Sequence, residues 1–333
     1  MTRSAEPAAV PRPESISVVV PTYNDAGRLG DALEAIVAQT RRPGEIVVCD
    51  DGSEDGTDRF VADFAARHEH RLPVRYVRLA GHAGVVAARN EGIAASLGEW
   101  IAECDSDDVW AAEKLERQLE FLGAWRGKPI AMLGTYGYNM NDAKRVISRA
   151  VMGPVSEADY DELRRTAGLF FVIHSSVLFP RAAYEAAGRY STDYGAADEF
   201  DFFGRMAEQG VVVNVPEPLV YYRKRAGSMQ MDLFWDKQRG AWRVAENQRR
   251  RLHGQQPIGA REFAAQLAAE PARERFRRRR HTTGMYYYRR GAAHFVNGQR
   301  ARGGAELLLS SVMDAGRLRA GLLGALRARL PRR

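Results

Sequence analysis

The sequence predicts an α/β protein: a mainly parallel sheet flanked by helices, with a helical, basic C-terminal extension. Three observations carry this. Short apolar runs alternate with segments of helical spacing through the first 110 residues or so. Clusters containing Asp, Asn and Gly close those runs, at the strand ends where open α/β sheets bind ligands. The charge also changes sign along the chain. From Arg251 onward there are eighteen Arg, no Lys and five acidic residues, +13 against a whole-chain +7, so the first 250 residues carry −6.

The elements follow in order. Residues 16–20 read as a buried strand closed by Pro21, and 45–49 as a second, closed by Asp50-Asp51-Gly52-Ser53. Between them, Leu29, Leu33, Ile36 and Val37 give helical spacing over 28–39. Helices are predicted over 57–67, 84–96 and 111–122, and strands over 74–79 and 99–104. Further on, 130–138 and 146–152 read as strands. Residues 170–179 are apolar with a polar interruption at His174-Ser175-Ser176. Helices over 181–187 and 199–209 and a strand over 211–215 follow, and the chain reads as helical after about Gly240.

Composition narrows the class. With 45% hydrophobic and 27% charged residues, the 333-residue chain is that of a globular protein. No run approaches the roughly 18 apolar residues of a membrane span. Residues 1–14 lack a signal-peptide core and read as a flexible leader. Cys49 and Cys104 both fall in predicted buried strands, which fits reduced, structural thiols and a cytoplasmic location. The arginine-rich tail suggests an anionic surface. Leu318, Leu322, Leu326 and Leu330 recur every four residues beside Arg317, Arg319, Arg327 and Arg329. That suits a helix on an anionic bilayer, at the inner face of the membrane. It equally suits a Leu stripe packed on the rest of the chain or on a second copy. Tyr286-Tyr287-Tyr288 read as packing residues, and no motif for nucleic acid accompanies them.

The sharpest chemical signal is Asp105-Ser106-Asp107-Asp108, three carboxylates in four residues after an apolar run. They repel one another unless a hard cation such as Mg²⁺ or Mn²⁺ is held there against a phosphate. A helix cap would explain one carboxylate and not three. Pro21, Thr22, Tyr23 and Asn24 can present polar edges and a ring to a nucleotide. A carboxylate of Asp50 or Asp51 can accept hydrogen bonds from a base or a ribose. Arg89 has the fork for a phosphate or a carbonyl, with a surface ion pair as the plain alternative.

In order along the chain stand Val20-Pro21-Thr22-Tyr23-Asn24, Asp50-Asp51-Gly52-Ser53-Glu54-Asp55-Gly56-Thr57, Gly84 with Ala88-Arg89-Asn90-Glu91-Gly92, Asp105-Ser106-Asp107-Asp108, Asp198-Glu199-Phe200-Asp201, and Tyr222-Arg223 with Gly227-Ser228-Met229. This series resembles the family 2 glycosyltransferases, whose fold is the Rossmann-like GT-A type, over roughly residues 15–230. The resemblance implies inverting transfer of a sugar from a nucleotide diphosphate, UDP foremost, with a divalent cation. The hydroxyl acceptor would be a glycan, a lipid-linked carrier or a small molecule in cell-surface polymer synthesis. It divides the chain into a GT-A domain, 15–235 (nucleotide-binding half 15–110, acceptor half 111–235), and the helical region 236–333, with homo-oligomers open. The resemblance, and not the residues themselves, implies Asp51 for the base or the ribose and Asp50 as structural. By the same resemblance Asp105 and Ser106 face the donor, and Asp107 or Asp108, with Asp105 as a further candidate, holds the metal. The catalytic base is Glu199 or Asp198, because the family's Glu-Asp order is inverted here. Arg225 stands where the family often has His, so Arg225 or Arg223 is expected to clamp the diphosphate. A nucleotidyltransferase and a non-catalytic nucleotide-sugar-binding scaffold are the competing readings.

Overall fold

The computed structural model describes residues 10–224 and 233–313. Its nine strands are β1 (Ile16–Thr22), β2 (Glu45–Asp50), β3 (Val74–Arg78), β4 (Trp100–Glu103), β5 (Val109–Trp110), β6 (Ile130–Met140), β7 (Val146–Ala150), β8 (Leu178–Pro180) and β9 (Val211–Arg223). They form one mixed sheet in the order β3-β2-β1-β4-β8-β6-β9-β5, with β7 paired to β6. The β3-β2-β1-β4 part is parallel. Each of its connections passes through a helix: α1 (Ala26–Val37), α2 (Thr57–His68) and α3 (Val85–Ala95). Because helices cover this part, every residue of β1, β2 and β4 is buried.

The second half is antiparallel at β8, β7 and β5, and parallel where β6 meets β9. It carries α4 (Lys114–Ala124), α5 (Glu157–Arg165), α6 (Arg181–Ala187) and α7 (Asp198–Gln209). Four helices follow: α8 (Phe234–Leu252), α9 (Ala260–Ala269), α10 (Ala272–Val296) and α11 (Arg300–Met313). α8 lies against the turn before α7. Arg243 donates to the Asp193 carbonyl, and the Asn247 amide donates to the Tyr194 hydroxyl at 2.9 Å. No described helix is long and apolar enough to cross a membrane.

β1 and β9 run past the ends expected of them. β1 runs through Pro21 to Thr22. Val19 accepts from Cys104 on the β4 side, so the proline's missing N–H points the same way, where β4 has already ended. The apolar stretch 170–179 breaks at its polar interruption into a 3-10 turn, His174–Ser176, followed by β8. β9 spans 13 residues rather than the five expected. Pro216 and Pro218 disguise it, and the pairing shifts register there, between Thr135 and Gly137 of β6.

α3 sits close on the sheet because Gly92 has no side chain. A Cβ there would meet Val19 Cγ1 at 2.6 Å and Cys49 Cβ at 3.2 Å. Gly92→Ala is expected to lower unfolding stability by about 1–3 kcal/mol through overpacking, outweighing any gain in helix propensity. Urea unfolding with an unchanged slope checks this; a midpoint equal to wild type would refute the close-packing argument.

Candidate active site

The carboxyl ends of β1, β2 and β4 meet along one edge, and their loops are tied together. At the end of β1, Asn24 has a left-handed backbone (φ 49°). Its N–H donates to Ser53 Oγ at 2.8 Å, and its Oδ1 accepts the Glu54 N–H at 2.8 Å. Asp50 accepts from the Ser53 N–H and hydroxyl and from the Tyr76 hydroxyl, and it pairs with Arg78. It is the structural acid expected. Asp55 accepts from the N–H groups of both Thr57 and Ala26, so it ties the starts of α2 and α1 together. Tyr23 remains half exposed, and its ring stacks on His82 at 4.1 Å. The Thr22 hydroxyl is buried with no hydrogen-bond partner.

The Asp51 carboxylate, expected at a base or a ribose, is buried and accepts from the Ala83 and Gly84 N–H groups at 2.7 and 2.8 Å, and His82 Nδ1 lies 2.8 Å away. These contacts tie it to the 81–84 loop.

The acidic loop after β4 is anchored from several sides. Ser175 Oγ accepts the Asp105 N–H at 3.0 Å, and the Ser106 hydroxyl donates to Asp25 at 2.8 Å. From the end of β9, the Arg223 N–H donates to Asp108 Oδ1 and its Nε to the Asp107 carbonyl, both at 2.8 Å. The rest of the Arg223 fork faces the Asp142 carbonyl and Asp31. Arg223, expected as a diphosphate clamp, is buried and holds the loop here. Arg225 lies outside the described residues, as do Gly227-Ser228-Met229 and the Leu318–Leu330 stripe.

Among the described residues no three His, Cys, Asp or Glu side chains converge into a ready metal cage. Mg²⁺ and Mn²⁺ need none where phosphate oxygens and water complete the shell. Asp108 supplies the test of fit. Its Oδ2 is buried without a hydrogen-bond partner. Burial, then Asp107 and Asp105, push its carboxyl well above the usual range. A hard cation beside it would relieve both conditions. Asp108 is not the cap of the next helix, since α4 starts at Lys114 with Glu113 before it.

Behind this loop lies a buried charge network that sequence reasoning missed in part. Arg89 reaches Asp105 at 3.3 Å and Asp198 at 3.1 Å. The Arg89 fork, expected at a phosphate or a carbonyl, bridges two carboxylates here. His174 Nε2 lies 3.0 Å from Glu103 and 2.9 Å from the Tyr190 hydroxyl, and Nδ1 is 3.7 Å from Asp105. Burial and Arg89 push the His174 pKa down, but Glu103 and Asp105 outweigh them and raise it to about 9. Burial raises the Asp105 carboxyl, yet His174 and Arg89 hold it well below the usual range. Asp105 is thus engaged by two cations, which argues against it as a metal ligand.

The two candidate bases part here. Asp198 faces Arg89; burial, with Glu199 adding to it, leaves its carboxyl raised. Glu199, on the first turn of α7, pairs with Lys237 of α8. Burial pushes Glu199 up, but Lys237 and then His174 bring it below the usual range, so it stays ionised. Lys237 also stands over the Phe200 ring at 5.2 Å. Lys224, at the end of β9, sits over the Tyr222 ring at 4.0 Å, and burial and Arg289 lower its pKa to about 8. Glu103, Tyr190 and Lys237 carried no motif. The one signal was Glu103, a charge inside the buried run 100–104.

The chain is similar to several known proteins. The Escherichia coli UDP-Glc:α-D-GlcNAc-diphosphoundecaprenol β-1,3-glucosyltransferase WfgD is 33% identical over 107 residues, 32% of this chain and 40% of its own length. The match thus spans about two-fifths of that relative. The solved structure of Staphylococcus aureus TarS with UDP-GlcNAc superposes with a TM-score of 0.53 at 16% identity, covering 91% of each chain. The mannosyltransferase PcManGT of Pyrobaculum calidifontis, solved with GDP-Man and Mn²⁺, superposes at 0.51 with 20% identity, covering 97% of this chain and 81% of that one. These likenesses establish the GT-A type of fold. The family model for glycosyl transferase family 2 matches residues 17–188, from the first strand to the end of α6, and the chain belongs to that family.

Proposed function

We propose that this protein is an inverting glycosyltransferase that moves a sugar from a UDP-sugar to a hydroxyl of a cell-surface glycan precursor. The observation that carries the reading is the Arg89 bridge. It joins the acidic loop, through Asp105, to the residue beside Glu199, through Asp198. A diphosphate-binding loop and a carboxylate base are thereby held on one frame. Membership of family 2 supports the reaction class, UDP-GlcNAc in TarS supports the donor class, and the WfgD name supports a lipid-linked acceptor.

In this reading the base of the donor lies against Tyr23, beside His82, with Pro21, Thr22 and Asn24 shaping the edge. Ser106 faces the ribose. Asp107 and Asp108 would hold Mn²⁺ or Mg²⁺, which supplies charge neutralisation for the departing diphosphate. Glu199 takes the proton of the acceptor hydroxyl as its oxygen attacks the anomeric carbon opposite the diphosphate, and the bond from that carbon to the diphosphate oxygen breaks. Asp198 keeps the Arg89 bridge in place and is not the base. Its partner is a buried cation, whereas the Glu199 carboxylate is the more exposed of the two. Lys237 keeps Glu199 ionised before substrate arrives.

Three outcomes are expected. UDP with Mn²⁺ should raise the melting temperature of the wild type. Asp107→Ala should lose that rise while melting near the wild-type temperature alone; an equal rise would remove the acidic loop from the donor site. Glu199→Gln should cut kcat roughly 10²–10⁴-fold with the UDP-dependent rise intact, and near-wild-type turnover would pass the role to Asp198. For Lys237→Ala the sign follows from linkage. Lys237 holds the Glu199 pKa down, so its removal raises that pKa, and the base is ionised only at higher pH. The acidic limb of the kcat/KM profile should move upward, and Lys237→Arg should restore it. An unmoved limb would show that the pair plays no part in setting the base.

A further inference from the structure

α10 and α11 form an antiparallel hairpin whose pattern is turned inside out. The buried seam is small or polar: Gly284, Gly291 and His294 face Gly303, Glu306 and Ser310. The two backbones touch at glycines, since a Cβ on Gly303 would meet the Gly291 carbonyl oxygen at 2.7 Å. Glu306 pairs with Arg290 at 2.8 Å inside the seam, and the Ser310 hydroxyl donates to the Gly284 carbonyl at 2.9 Å. The large apolar side chains are on the outside. Leu308 is 68% exposed, Val312 71% and Phe276 67%. Ala301, Ala305, Leu308 and Val312 are spaced four, three and four apart and are all exposed, so they form one outward stripe of α11.

Cations surround these residues. Residues 271–313 hold ten Arg and two Glu. Arg273 and Arg279 flank Phe276 one turn to either side, and all three are exposed. Arg280 Nε donates to the Met313 carbonyl at 2.8 Å, which brings the Arg277–Arg280 run beside the end of the α11 stripe.

A helix in water buries its apolar side chains and turns its polar ones outward. The reverse pattern, with arginines flanking Phe276 and one end of the α11 stripe, matches a surface that lowers Leu and Phe to the acyl boundary of a bilayer while guanidinium groups meet lipid phosphates. Nucleic acid would account for the arginines but not for the Leu308–Val312 stripe. A second copy would account for the stripe but would bring two strongly cationic hairpins together. We infer that the outer face of the α10–α11 hairpin docks on a bilayer rich in anionic phospholipid. This inference stands apart from the sugar-transfer reading, and its test measures no transfer.

The full chain should sediment with vesicles of phosphatidylcholine mixed with phosphatidylglycerol and not with phosphatidylcholine alone, and added salt should release it. The double substitution Leu308→Gln and Val312→Gln should weaken that binding roughly tenfold or more, with the melting temperature unchanged. Arg273→Glu with Arg279→Glu should do the same. Failure to bind, equal binding to both vesicle types, or unaltered binding by the variants would overturn the proposal. So would a Gln variant that melts much lower while still binding vesicles, because the stripe is then covered by the chain itself. Conversion of a dimer to a monomer with vesicle binding intact would assign the face to a second copy, and nucleic acid binding without vesicle binding would likewise refute it.

Discussion

Arg89 is the residue on which the rest of this site depends. It is buried, and it reaches two carboxylates that lie 93 positions apart in sequence, Asp105 and Asp198. The first belongs to the parallel half of the sheet and the second to the helix that opens on the other half. A buried ion pair is a weak source of net stability, because desolvation offsets much of the attraction. Its consequence is geometric. With the guanidinium fixed, neither carboxylate can leave without stranding a charge away from water, so the loop after β4 and the start of α7 keep one relative position. His174 does the same from behind, as a cation between Glu103 and Asp105. The network thus holds three carboxylates against two cations, and the excess negative charge lies toward the acidic loop.

The acidic loop is held from its other side by β9. Protein groups engage its acids: Arg89 and His174 hold Asp105, and the Arg223 backbone takes one oxygen of Asp108. The second oxygen of Asp108 is buried and without a hydrogen-bond partner. That asymmetry matters more than the count of carboxylates. A loop whose acids were all satisfied would be a structural knot. A loop whose acids were all open would be repelled apart. Here the backbone is immobilised while one buried oxygen is kept back, which suits a site that must present charge without rearranging.

Much of the parallel half was legible in the sequence, because each element there has a local cause. The apolar runs at 16–20 and 45–49 need burial on both faces, and the Asp and Asn clusters at their ends can do nothing inside a sheet. The part of β9 beyond Val215 was not legible, because Pro216 and Pro218 argue against a strand unless a register shift receives them. The site residues divide in the same way. Residue types announced which segments gather at the strand ends. They did not announce which groups those residues would already have engaged, since partner choice is set by contacts across 30 to more than 100 positions, as between Asp51 and the 83–84 amides or between Arg223 and Asp108. Asp51, Arg89 and Arg223, expected at the donor, each hold protein partners that the sequence did not announce.

Lys237 carries the argument beyond the segment that defines the family. That segment ends at residue 188, before Glu199 and well before α8. Yet α8 is fixed to the turn in front of Glu199, by Arg243 on the Asp193 carbonyl and by Gly240, where a Cβ would meet the Tyr194 carbonyl oxygen at 2.6 Å. It thereby delivers the Lys237 ammonium group that pairs with Glu199. An α/β core of this type can present a carboxylate at the start of a helix unaided. Burial raises the Glu199 pKa, and Lys237 is the largest of the cations that bring it down, ahead of His174 and Arg89, whose direct partners are other carboxylates. The helical region therefore completes the electrostatics of the centre, and it does so from the same run of helices whose outer face carries the excess of arginine.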